Sequence, residues 1–394
     1  SLINKIFQKC YLDNKDTIVY FRSLLNNSSD TDYSRYTFFL INYLIEDNKL
    51  SEAQKITNQI DYLNSSLLIS QAKKWVEEKK FDELKKVFSC KNPNDVVSEF
   101  LFLIANLYSS QNDYDKANFY LNISHYLNPK FKFNLTLLAE NYFLIDNYEK
   151  VKKILEYFNV KDEFYYWFKV KKQAQIISME KNDEKSLSFI TKKYKKIESP
   201  SVKIIFDMAN FNKNSKKYKN AITYYDQIIS LTDPNSLNYA NLLYRRGSSY
   251  ERLGNYLKSD KDFLNSLEIN PDDAYVLNYL AYSWLEREYK IDESIQMLEK
   301  AYALRSNDPY IIDSVGWAHY LIDDFLKAEK FLKRAVELMP NDPVVNDHYG
   351  DILWKLGKKI QARYFWKSVL NLKETEDKMK KNINIKLIKG LKKS

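Results

Sequence analysis

The sequence predicts an all-α chain, a tandem array of helical hairpins stacked into a solenoid. Three observations carry this. Only six glycines and eight prolines occur in 394 residues, too few for a fold of tight turns and hairpin strands. The chain is 45% apolar and 29% charged, enough to bury a large core and too regular for a disordered tail. Small residues recur in two columns: Pro309, Gly316 and Ala328 return as Pro343, Gly350 and Ala362, each displaced by 34 residues.

The first column reads Ile41, Ala72, Ala105, Ala139, Ile176, Ala209, Gly247, Ala281, Gly316 and Gly350. The second reads Ala53, Leu84, Ala117, Val151, Ser188, Ala221, Ser259, Ser294, Ala328 and Ala362. Two periodic columns of small side chains, one on each helix of a pair, mean that the helices approach closely there. That closeness offsets the ~1 kcal/mol that a mid-helix glycine such as Gly316 costs. Gly254 and Gly357 fall where the turn between paired helices belongs, a position that asks for positive φ. Pro129, Pro271 and Pro340 close second helices, because proline cannot continue one.

Taken in order, residues 1–31 hold apolar positions at helical spacing (Leu2, Ile6, Phe7, Ile18, Phe21, Leu25) and are expected to form a degenerate N-terminal pair. Residues 32–231 are divergent repeats and residues 232–372 well-matched ones. Residues 373–394 form a basic capping helix with Ile383, Leu387, Ile388 and Leu391 on one stripe. The polar stretches near Pro200 and between Ile229 and Asn241 read as bends rather than boundaries, because repeats flank both.

The spacing, the small residue of the first helix, the alanine of the second and the closing proline resemble tetratricopeptide (TPR) repeats. The resemblance implies a right-handed α-solenoid superhelix of about ten hairpins. The block from Asp308 to Leu370, followed by IKLIKGL, further resembles bacterial envelope repeat proteins, among them adaptor lipoproteins that bind a carboxyl-terminal processing protease. It implies a periplasmic or envelope-associated setting, with the cytoplasm as the alternative. The FQKC before Cys10 lacks the small residues of a lipoprotein processing site, so Cys10 is expected to be a packing residue. The chain begins at Ser1 without methionine, which leaves an upstream segment open.

Chemistry is sparse. His125, His319 and His348 lie on three different repeats with no partner at zinc-site spacing, so no metal site is expected. Phosphate loops, GxSxG elbows and Cys-His pairs are absent from the sequence, so no catalytic residue and no cofactor is assigned, and the chain is read as non-enzymatic. Asp323 and Asp324 fit a turn and a helix cap. No apolar run reaches the ~20 residues of a membrane span. The net charge of +9 comes from lysines interspersed with acids, which reads as a solvated surface. Nucleic-acid binding by that surface is the alternative function, and its mark would be steep salt dependence.

What remains is a surface. In tetratricopeptide repeats the first helix of each pair lines a groove, and the positions flanking the small column point into it. By that resemblance the groove comprises Tyr244, Ser248 and Glu251, then Asn278, Tyr282 and Leu285, then Asp313, Trp317 and Tyr320, then Asp347, Asp351 and Trp354. The structural positions beneath it are Gly247, Ala281, Gly316, Ala328, Gly350 and Ala362. Aromatic and acidic side chains predict a partner protein that offers a basic or apolar peptide or helix. At the positions where some relatives clamp acidic tails with lysine and asparagine, this chain has Tyr, Asn, Asp, Asp and Ser, Tyr, Trp, Asp, which disfavours an acidic-tail receptor. Homo-oligomerisation through the groove or the caps stays open.

Overall fold

A computed structural model describes residues 2–26, 33–61, 63–373 and 375–391. The expected boundary at 31/32 and the last three residues of the C-terminal segment lie outside the described residues. Among the described residues the secondary structure is twenty-three α-helices and no strand. The fold is an all-α solenoid. It divides into two compact units, Ser1–Lys216 and Lys217–Ser394.

The first unit runs α1 (Leu2–Tyr11), α2 (Thr17–Asn26), α3 (Arg35–Glu46), α4 (Leu50–Asn58), α5 (Leu67–Glu77), α6 (Phe81–Val87), α7 (Pro93–Ser110), α8 (Tyr114–Leu127), α9 (Phe133–Leu144), α10 (Tyr148–Leu155), α11 (Glu163–Glu180), α12 (Asp183–Tyr194) and α13 (Val202–Asn214). Odd and even helices through α12 pair as hairpins. An aromatic core joins several of them: Phe7 meets Phe39, Phe88 and Phe100 with ring centroids 5.4–5.9 Å apart, and Phe38 stacks on Phe131. Arg35 of α3 reaches Glu99 of α7 with a two-pronged contact of 2.9 and 2.6 Å, its guanidinium lying 3.8 Å from the Phe102 ring. Glu99 is fully buried, so this pair holds first helices together in a low-dielectric setting.

First helices of this unit also meet at long range. Lys74 of α5 pairs with Glu163 of α11, and Lys203 of α13 donates to the carbonyls of Leu63 and Ser65 at 3.2 and 2.7 Å. Their face is therefore crossed by the unit's own side chains.

A disulfide joins Cys10 of α1 to Cys90, just beyond α6, with the Cα atoms 5.8 Å apart. This corrects the reading of Cys10 as a mere packing residue. Eighty residues separate the two in sequence, and only the stacking of three hairpins brings them together.

The second unit runs α14 (Tyr218–Ile229), α15 (Leu237–Arg252), α16 (Tyr256–Ile269), α17 (Ala274–Leu285), α18 (Ile291–Leu304), α19 (Pro309–Leu321), α20 (Phe325–Leu338), α21 (Pro343–Lys355), α22 (Lys359–Asn371) and α23 (Asp377–Lys389). Each hairpin packs on the next, and α17, α19 and α21 lie side by side as one wall. Proline begins α19 and α21, and the preceding Asp308 and Asp342 accept from the first free amides, closing helix starts that would otherwise waste donors.

The small columns are buried as expected, and the reason is specific. A Cβ on Gly316 would come 2.7 Å from Leu332 Cγ, and one on Gly350 would come 2.5 Å from the Trp366 indole. Each glycine thus receives a large side chain from the second helix of its own hairpin. One hairpin departs from the expected register: Ser188 is exposed, and the close pair is Ala174 with Ser186, whose Oγ donates to the Ala174 carbonyl at 2.6 Å. Asn182, which caps α12, sits eight residues after Ala174, the same offset as the caps Asp113, Asn147, Asn255 and Asp324 in their hairpins.

The turn from an odd-numbered helix to the next also repeats at most of these connections, α11–α12 being an exception. Gly254 and Gly357 have φ of +73° and +79°, and the equivalent place is held at positive φ by Asn48, Lys79, Asn112, Asp146, Lys216, Glu288 and Asp323. Asn and Asp tolerate this conformation, whereas Lys and Glu adopt it at a cost.

Candidate functional site

The wall formed by α17, α19 and α21 carries the expected groove residues, and the structure sorts them into two groups. Asn278, Tyr282 and Asp313 line a cleft of about 690 Å³ together with Tyr279, Ser283 and Glu286. Beside it the Trp317 ring is stacked between Tyr320 at 4.7 Å and His348 at 4.1 Å, both within 13° of parallel. Trp317 Nε1 donates to Glu286 Oε1 at 3.0 Å, which ties α19 to the end of α17.

His348 is the residue that sequence spacing passed over. Buried on α21, its Nδ1 donates to Asp313 Oδ2 at 2.9 Å. Burial opposes its protonation, but Asp313, Asp347 and Asp351 outweigh that penalty and hold the imidazole above its ordinary value. The arrangement joins a carboxylate, an imidazole and two aromatic rings on adjacent first helices.

The second group is already occupied. Lys386 of α23 donates to Asp347 Oδ1 at 2.6 Å and to both oxygens of Asp351 at 2.8 Å. Trp366 Nε1 adds a further bond to Asp351 at 2.9 Å. Burial, with Asp347 alongside, pushes the Asp351 carboxyl up to about 6 against the pull of Lys386. Trp354 packs on Trp366 and lies under Gly390, where a side chain would collide with the indole at 2.0 Å. Asp347, Asp351 and Trp354, expected to meet a partner, are thus covered by the chain's own basic helix.

Two other groove expectations are corrected. Leu285 is core, packed with Leu298 and Val315, because the last turn of α17 aims it into the hairpin; Glu286 faces the cleft instead. Ser248 is buried and its hydroxyl returns to the Arg245 carbonyl. Tyr244 is half-buried between Phe263 and Tyr279, and Glu251 accepts from the Tyr279 hydroxyl at 3.2 Å. Ser283 and Glu286 were missed because they lie outside the three flanking positions of the small column.

A tetratricopeptide-repeat model matches residues 98–130 and 240–273, the α7–α8 and α15–α16 hairpins with their flanks, one in each unit. The chain carries TPR repeats. A TPR repeat-containing protein of Pseudomonas aeruginosa is 33% identical over 94 residues, 24% of this chain and 16% of that protein. A TPR repeat-containing protein of Methanocaldococcus jannaschii is 38% identical over 85 residues, 22% of this chain and 14% of that one. The chain therefore matches only a minor part of the length of either relative. Among solved structures, a thermophilic TPR protein of Thermus thermophilus is 15% identical, covering 48% of this chain and all of that one, with a TM-score of 0.41. A Pseudomonas aeruginosa pilF structure is 16% identical over 48% of this chain and 83% of that one, with a TM-score of 0.40. Among the described residues no helix is long and apolar enough to cross a membrane.

Proposed function

We propose that this TPR chain is a non-enzymatic scaffold that binds a segment of another protein on the α17–α19 face of its second unit. The observation that carries the reading is the half-buried Tyr320–Trp317 pair, stacked on buried His348 beside the cleft over Asp313. Large flat side chains there are held rigid by their neighbours, so a partner contacts them with little ordering cost. Tetratricopeptide repeats generally serve protein–protein interaction, and the first unit offers less for the purpose, because its first helices are crossed by Arg35, Lys74 and Lys203.

An envelope setting, the finer reading of the C-terminal block, gains support from the Cys10–Cys90 bridge, since structural disulfides persist in oxidising compartments. Adaptor work in envelope proteolysis belongs to the same proposal.

The test is photo-crosslinking in the native cell with benzoylphenylalanine at Tyr282, and with the same probe at Tyr364, an exposed second-helix residue, as control. A discrete protein adduct from Tyr282, absent at Tyr364 and lost with Trp317→Ala, supports the scaffold. Equal adducts at both positions, or none at Tyr282, overturn it.

A further inference from the structure

We infer that the cleft over Asp313 is the seat of a lysine side chain contributed by the partner segment. The inference rests on the scaffold reading and names the chemistry it recognises. Three groups on the cleft wall are acceptors without a partner: Asp313 Oδ1, Asn278 Oδ1 and Ser283 Oγ. Asp313 and Ser283 are 5% and 6% exposed. Buried polar atoms are ordinarily bonded, so three orphans on residues that line one cavity point to a ligand that reaches them as the wall adjusts. An ammonium has three donors and no acceptor, which matches three separate acceptors.

The other charges of the cleft leave the same gap. Arg287 is engaged by Asp260 at 2.8 Å, and Arg252 lies against Glu251 at 3.5 Å. Glu286 accepts from Trp317 and is also bonded to Tyr282, whereas His348 satisfies only one oxygen of Asp313. Asp342 and Lys378 also line the cleft. Tyr279 and Tyr282 also line the cleft, and aromatic rings are favourable neighbours for a cation.

The molecule shows how such a seat is filled. Asp347 stands 34 residues after Asp313, at the same repeat position, and there Lys386 of α23 is held by Asp347 and Asp351. One repeat earlier the carboxylate is in place, and among the described residues no lysine pairs with it, Lys378 lining the same cleft without an ion pair to Asp313. A basic segment running along the wall would continue the row that Lys386 begins. The cleft's volume of about 690 Å³ accommodates a side chain with its flanking backbone.

The test uses the full chain and a fluorescein-labelled oligolysine peptide, read by anisotropy. Wild-type protein binds it; Asp313→Asn, which keeps the shape and a bond to His348, weakens binding about tenfold or more. Asn278→Leu weakens it as well, and Glu337→Gln on the second-helix side leaves it unchanged. Circular dichroism confirms that each variant is folded, and Asn278→Leu decides if Asp313→Asn is not. Undiminished binding by the folded variants, or no binding by wild type, overturns the lysine seat. So does displacement of the peptide by spermidine at equal ammonium concentration, which would make the ligand a free amine. A Tyr282 adduct that survives Asp313→Asn but not Trp317→Ala sinks the lysine seat alone and leaves the scaffold standing.

Discussion

Lys386 lies 2.8 Å from both carboxylate oxygens of Asp351, an intramolecular ion pair that fastens the last helix to the α17–α19–α21 wall of the second unit. Its neighbour Ile383 is fully buried in the same cluster as Trp366 and Val369, so α23 is held by apolar and ionic contacts together. This explains why three of the expected groove residues are not available to a partner.

Replacing Lys386 with methionine leaves Asp347 and Asp351 facing each other in a dry site. The expected loss is about 2–4 kcal/mol of stability for the second unit, seen as a lower denaturation midpoint. The sign of its pH dependence follows from Asp351, whose folded carboxyl sits at about 6 and is charged only above that value. The loss in Lys386→Met is therefore larger at pH 7.5 than at pH 5, and a pH-independent loss would contradict the assignment.

His348 gives a second pH signature. Its folded value is raised, so its pairing with Asp313 stabilises fully below the unfolded histidine value of about 6.5 and fades as pH rises through the higher folded value. His348→Gln should lose most stability relative to wild type in mildly acidic buffer and least in alkaline buffer. Thermal melts across that range give the curve, and a gap that widens toward alkaline pH is the contrary result.

Lys79 occupies the left-handed turn position that Gly254 and Gly357 fill in other hairpins, at φ +56°. Its side chain is exposed, so removing it sacrifices little packing. Lys79→Gly relieves the strained backbone and should raise stability by about 0.5–1 kcal/mol after the entropy of the added glycine is counted. A urea midpoint unchanged or lowered in this variant would show that the turn carries no strain.

How far the sequence reached can be judged at particular residues. Gly316, Gly350, Ala328 and Ala362 were legible because close helix contact tolerates few side chains, and period therefore survives in composition. The turn position was legible only where glycine filled it; Lys79 and Glu288 carry no compositional trace of their backbone. Ile176 masked Ala174, since both are buried on α11, and only the cap at Asn182 distinguishes the register. Asp313, Trp317 and Tyr282 were assigned to first helices by the resemblance, and they lie on α17 and α19. The pairing of Asp313 with His348 and the seating of Lys386 depend on residues 35 apart meeting between helices, and a single repeat unit contains neither relationship. Opposite charge on the last helix and on the wall was the signal available for Lys386.

The cross-link from Cys10 to Cys90 gives the first unit a property that stacked repeats ordinarily lack. Such a stack peels one layer at a time, because each layer touches only those above and below. Here the covalent loop of eighty residues in separation withdraws about 4.5 kcal/mol of chain entropy from the unravelled state in the loop-closure account. Tension applied at α1 would pass through the sulfur bridge directly to the segment after α6, so the intervening helices bear no load and come undone together or not at all.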